Sequence, residues 1–164
     1  MDLNGESGTI EKVNTLTFDI FGTVLDLAGS LVPSLEKLLQ ECNAPESLTG
    51  ADFWNHWRLR QRLEQYQDNI ILLGHSGYLE VKKRALLYTL RFLKIEFSYE
   101  KVDEFMKAYH ELIPFQDAVS GLKRLGTKYR LVILSNGEEW YLKQLVENNI
   151  GIDFNEILCA EMVS

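Results

Sequence analysis

Two apolar runs in this chain each end in a polar cluster. Residues 14–19 lead through Asp19 into Phe21-Gly22-Thr23, and "YRLVIL" leads into Ser135-Asn136-Gly137. Each run reads as a buried strand of a parallel sheet, because strands covered on both faces lose the apolar/polar alternation. Between them lies a long segment of helical periodicity, and a third short run covers residues 156–160. Strand, helical insertion, helix, strand, helix, strand is an α/β pattern with parallel crossovers. Ligands of open parallel sheets bind beyond the carboxyl ends of the strands. Both clusters are therefore expected to face one pocket, with the helical insertion placed over it as a lid.

Residues 1–13 read as a loose leader. From Ser30 onward Leu31, Leu35, Leu38 and Leu39 share one helical face, until "NAPESLTG" breaks the pattern. Further helices are expected over 52–66, 78–93 and 99–110, a helical block of about eighty residues. Another covers 117–125, with a turn at Gly126-Thr127, and a last one 138–148. The expected domains are an α/β core of residues 1–29 and 113–164 and a helical cap of residues 30–112.

Lys and Arg number 17 against 24 Asp and Glu, so the formal charge of −7 argues against nucleic acid or an anionic membrane as partner. An anionic substrate would need a local cation. Cys42 and Cys159 lie far apart with no CxxC or Cys/His zinc spacing, and the polar start has no signal-peptide core, which points to a reducing, cytoplasmic setting. Cys159 reads as a small buried hydrophobe.

A carboxylate that closes an apolar strand is costly to desolvate, so something must use Asp19 or pair it. It could be a nucleophile, a metal ligand or a helix cap, and a turn-forming Asp bonded to local amides fits equally well. Ser135 with free amides at the start of the following helix would make an anion cradle. His56, His75 and His110 show no metal-ligand spacing and read as solvent-facing or locally bonded. "LLGHSGY" has Tyr78 where a nucleophile elbow needs glycine, leaving Ser76 a loop or cap residue. Trp54 and Trp57 read as the packed face of one helix.

The order "TFDIFGTVLD", a helical segment containing "WRLRQRLEQY", then "LVILSNG" and "FNEILCAEMVS" resembles the haloacid dehalogenase superfamily, and within it the 2-haloacid dehalogenases. The similarity runs from Thr15 over almost the whole chain. It implies a Rossmann-like parallel sheet core with a helical cap inserted after the first strand. Phosphatases of this superfamily carry a second Asp two residues after the first, with Mg2+ nearby. Phe21 stands there, and it supplies neither a proton nor a ligand carboxylate. Halide leaves carbon without protonation, so carbon–halogen cleavage survives that loss, and Phe21 also suits a small apolar substrate centre or a plain core role.

The resemblance implies hydrolysis of small 2-haloacids through an aspartyl ester, with no cofactor and no metal. Asp19 would attack the halogen-bearing carbon, and water would then open the ester, turning an (S)-2-haloacid into an (R)-2-hydroxyacid. Thr23 would steady Asp19 or the substrate, Ser135 would bind the substrate carboxylate, and Asn136 would sit near the departing halide. Arg58, following Trp57, would reach down from the cap to the halide and draw an anionic substrate in; a surface Arg paired with an acidic neighbour is its alternative. Arg62 departs from the apolar residue expected there. A homodimer is the expected assembly.

In the family, a Lys-Pro pair and an acidic loop follow the segment matching "AEMVS". The sequence contains neither, so the C-terminal part of the core is expected to be missing, the first strand to lie at an edge, and the chemistry to be impaired. Two other readings stay open: a phosphohydrolase with an altered acid, and a non-catalytic remnant acting by binding or dimerisation.

Overall fold

The computed structural model describes residues 13–70 and 76–163, so most of the expected leader, and His75, lie outside the described residues. In chain order the elements are β1 (Thr15–Phe18), β2 (Leu25–Asp26), α1 (Leu27–Glu41), α2 (Gly50–Ile70), α3 (Tyr78–Phe92) and α4 (Tyr99–Met106). There follow β3 (Ile113–Pro114), α5 (Ala118–Gly126), β4 (Arg130–Ser135), α6 (Glu139–Leu145) and β5 (Glu156–Cys159).

The main sheet is parallel, as the apolar runs lead one to expect, and its strand order is β1-β4-β5. Leu131, Val132 and Ile133 are buried in succession, the pattern of a strand covered on both faces. Phe18 lies opposite Ile133, so Asp19 and Ser135 both project from the carboxyl end of the sheet. Among the described residues β1 has a strand neighbour on one side only.

The two-residue antiparallel pair β2·β3 escapes sequence reading, since two residues show no periodicity. It joins the base of the helical block to the sheet. Phe115 N donates to Val24 O at 3.0 Å, and Ile113 N donates to the Ser30 hydroxyl at 2.9 Å. The first helix begins at Leu27 rather than Ser30, because the Asp26 carboxylate accepts from Gly29 N at 2.8 Å and caps it. Leu31, Leu35, Leu38 and Leu39 are buried along its inner face.

Other boundaries shift for local reasons. The helix expected to end near Tyr66 continues to Ile70. The one expected over 99–110 ends at Met106 and tightens into a 3-10 turn at Lys107–His110. The last helix gives way to a π turn at Val146–Ile150, closed by Gly151 at φ 65°.

Trp57 anchors the helical block. Its ring is fully buried, meets Phe105 and Tyr109 edge-on at 5.5 and 6.1 Å, and its Nε1 donates to the carbonyl of Lys82 at 3.1 Å. This ties α2 to α3 at one point. Cys42 and Cys159 are both buried and free. Among the described residues no helix is long and apolar enough to cross a membrane.

Candidate active site

Asp19 follows β1 directly, and the chain then turns through Phe21 and Gly22, the latter at φ 88°, a backbone region that disfavours any side chain. Ile20 O accepts from Val24 N at 3.1 Å and Leu25 N at 2.9 Å, closing the loop tightly. Two hydroxyls then converge on the carboxylate. Thr23 Oγ1 donates to Oδ2 at 3.2 Å from within the loop, and Ser135 Oγ donates to Oδ1 at 3.0 Å from the end of β4.

The expectation of a desolvated carboxylate needs correction. Asp19 is exposed, because among the described residues its strand is flanked by β4 alone. It is paired by hydroxyls rather than buried. Ser135 carries one proton, which goes to Asp19 here, so a substrate carboxylate could receive a hydrogen bond from that hydroxyl only by taking this proton away. The expected amide cradle is also altered. The first amide of α6, Glu139 N, donates to the carboxylate of Glu161 at 3.2 Å.

Phe21 forms an aromatic wall with residues of the helical block and α6. Its ring stacks on Tyr78 at 4.0 Å with 14° between planes, and lies 5.8 Å from Tyr141. A Cβ on Gly137 would come within 3.0 Å of the Phe21 ring, so the glycine lets β4's following turn pass beneath it. Asn136 beside it is exposed.

Arg58 is half-buried on α2. Its Nη1 donates to Gln61 Oε1 at 2.8 Å, and its Cζ lies 5.5 Å from the Trp54 ring centroid. Burial pushes the Tyr78 phenol well above its ordinary range, with Tyr109 and Tyr141 adding to the shift; Arg58 pulls it down and Asp19 pushes it up. The cap guanidinium and the strand-end carboxylate therefore both act on the ring that stacks on Phe21. Arg62 is exposed.

The remaining residues behave as local chemistry dictates. His56 is exposed, and the ring of His110 hydrogen-bonds Gln144 Oε1 through Nδ1 at 3.0 Å. Ser76 lies in a loop and accepts from Arg84 at 2.9 Å. Among the described residues no cluster of His, Cys, Asp and Glu is arranged to hold a metal ion.

Sequence reading missed three groups beside Arg58: Gln61, Lys82 and Tyr109. Lys82 occupies the inner stripe of α3 with Tyr78, Ala85, Leu86 and Thr89, all buried. A lysine four residues after Tyr78, in a largely apolar stripe, was the available signal.

No protein-family model matches the chain. Among curated proteins it is 23% identical to the (S)-2-haloacid dehalogenase H-109 of Pseudomonas putida, over 94% of this chain and 66% of that one. It is 29% identical to the (S)-2-haloacid dehalogenase of Xanthobacter autotrophicus, over 83% of this chain and 50% of that one. The structure of the L-2-haloacid dehalogenase from Xanthobacter autotrophicus with chloropropionic acid covalently bound superposes with a TM-score of 0.70 at 25% identity, covering 92% of this chain and 58% of that one. The chain thus spans between half and two thirds of the length of these relatives.

A parallel sheet with an aspartate at the tip of its first strand, a serine at the tip of the next, and a helical block between them is what the chain shares with these relatives, and in sequence and fold it is similar to the haloacid dehalogenase superfamily. Within that superfamily its relatives are the (S)-2-haloacid dehalogenases, the type II branch.

Proposed function

We propose that the protein hydrolyses small 2-haloacids to 2-hydroxyacids through an ester on Asp19. The observation that carries this reading is a carboxylate aimed by two hydroxyls, followed two residues later by a phenyl ring that has no proton to give. One oxygen of Asp19 attacks the halogen-bearing carbon from the side opposite the halogen, forming the C–O bond as the C–X pair leaves as halide. Water then adds to the carboxyl carbon of the ester, returns Asp19 to a carboxylate and releases the hydroxyacid and a proton. Thr23 and Ser135 hold the carboxylate in line, Phe21 walls the reacting carbon, and Asn136 and Arg58 receive the halide. Helices α1 to α4 serve as the cap that closes this cleft.

Phe21 disfavours the phosphohydrolase reading, because an alkoxide leaving group requires an acid at that place. For the assembly and compartment, the same proposal takes a homodimer in the cytoplasm. Leu59, Leu63 and Tyr66 are exposed at 64%, 47% and 65% along one side of α2, an apolar stripe suited to a second copy, and the two cysteines are unpaired.

The test is chloride release from (S)-2-chloropropionate, with Asp19→Asn as the control. A single turnover in heavy-oxygen water should leave the label on Asp19. Magnesium-dependent phosphate release in place of chloride release would overturn the reading.

A further inference from the structure

The groups packed around Arg58 are hydrogen-bond donors lacking acceptors. The bond from Arg58 Nη1 to Gln61 Oε1 fixes the amide orientation, and the opposite atom, Nε2, has no partner although Gln61 is only 1% exposed. The hydroxyl of the fully buried Tyr109 lies beside that amide, which acts against the upward push of burial on the phenol, and it donates to no acceptor. Lys82 is 2% exposed. Its ammonium lies 4.4 Å from the centroid of the Tyr78 ring, and among the described residues no hydrogen bond or ion pair reaches it.

The buried carboxylate of α2 does not neutralise this cluster, since Glu64 is already bound by Arg60 and Arg84. Two cations that share one apolar interior repel each other. Burial, and then the charge of Arg58, bring the Lys82 ammonium down to about 8. Each unpaired buried donor forgoes the hydrogen bond that water would give it, and a single anion would satisfy several at once.

We propose that Lys82, Gln61 and Tyr109 form with Arg58 a subsite for a small monoanion, either the carboxylate or the halide of a haloacid. The identity of the anion rests on the dehalogenase reading; the subsite itself rests on the unpaired donors. With Ser135 donating to Asp19, the subsite lets the cap, rather than the sheet, hold the charged end of the ligand.

Two unreactive probes test it on the 164-residue chain. Sodium propionate stands for the carboxylate and sodium bromide for the halide, each titrated by calorimetry at pH 7. At least one should bind, Lys82→Met should weaken it about tenfold or more, and Lys82→Arg should restore it. Propionate alone binding assigns the carboxylate, and bromide alone the halide. Affinity should fall from pH 7 to 9.5 in the parent and stay level in Lys82→Met. The other groups facing Lys82 are the guanidinium of Arg58 and the phenols of Tyr78 and Tyr109, which burial keeps neutral across that range.

Circular dichroism checks that both variants fold. Failure of both probes to bind the parent chain, or equal binding by folded Lys82→Met, overturns the subsite. If binding depends on Lys82 but (S)-2-chloropropionate is untouched, the dehalogenase reading fails while the subsite stands. If chloride is released with kcat and KM unchanged in Lys82→Met, the reverse holds.

Discussion

The Ser135 hydroxyl donates to Oδ1 of Asp19 across 3.0 Å, joining two strand ends that are 116 residues apart in sequence. Because Asp19 is exposed, water can replace that donor in the ground state. On the proposed mechanism, removing Ser135 takes away aim more than stability. Ser135→Ala should therefore shift the unfolding free energy by less than about 1 kcal/mol while lowering kcat for chloride release about tenfold or more. Thr23→Ala, which removes the longer of the two bonds at 3.2 Å, should cost less. Urea unfolding and steady-state kinetics on the same samples separate the two effects.

Gly77 makes a second, purely structural test. It sits at φ 96°, and a Cβ there would come within 2.3 Å of Glu138 Oε1, the same oxygen that accepts from Tyr78 N at 3.0 Å. Gly77→Ala should destabilise by about 1–3 kcal/mol and pull the helical block away from α6. Gly121, inside α5 with nothing within 4 Å of its would-be Cβ, is the control. Gly121→Ala should stabilise by about 0.5–1 kcal/mol. Opposite shifts in the urea midpoint are the expected result.

Which parts of this were legible in the sequence follows from how each residue signals itself. Ser135 stands at the end of a continuous apolar run; the run before Asp19, Thr15-Leu16-Thr17-Phe18, alternates and is only partly covered, so it was legible as a strand but not as a buried one, and the strand-end rule then places both residues at one crevice. The helices were legible from leucine spacing, but α1 and α2 each extend past their apolar stripe. Capping by Asp26 set one end, and no periodic signal marked the other. The β2·β3 pair is too short to show a pattern. Lys82 and Gln61 were passed over because polar residues within a helix read as its solvent face; only packing of α2 on α3 reveals that these two point inward. The exposure of Asp19 was equally hidden, since sequence reports the strand and not its neighbours.

In the proposed reaction Phe21 decides between carbon–halogen and phosphoester chemistry, and replacing it tests that proposal. Phe21→Asp would restore a second carboxylate but delete the stack on Tyr78 and the contact over Gly137. It would also set a like charge beside Asp19. The variant should lose about 2 kcal/mol or more of stability and most halide release. It should gain no magnesium-dependent hydrolysis of p-nitrophenyl phosphate, because among the described residues no further acid is arranged for a metal. A gain of phosphatase activity would show that the pocket, not the missing acid, is already built for phosphate.

Lys82 links the proposed subsite to stability through pH. Its ammonium falls from 10.5 to about 8, with burial as the main cause and Arg58 second, a drop equivalent to about 3 kcal/mol. For a base whose folded value lies below its unfolded one, the penalty is fully present below about pH 8, where both states carry the proton. Between pH 8 and 10.5 the folded chain is deprotonated first, and the penalty shrinks. Lys82→Met, which removes the charge and keeps an unbranched apolar stem, should thus be more stable than the parent at pH 7, and the gap should narrow as pH rises to 10. Saturating anion should narrow it at pH 7 as well, by binding the parent alone. Thermal unfolding of both proteins across that range, with and without propionate or bromide, gives the comparison. A Lys82→Met that is less stable at pH 7 would mean that the ammonium is already satisfied within the fold.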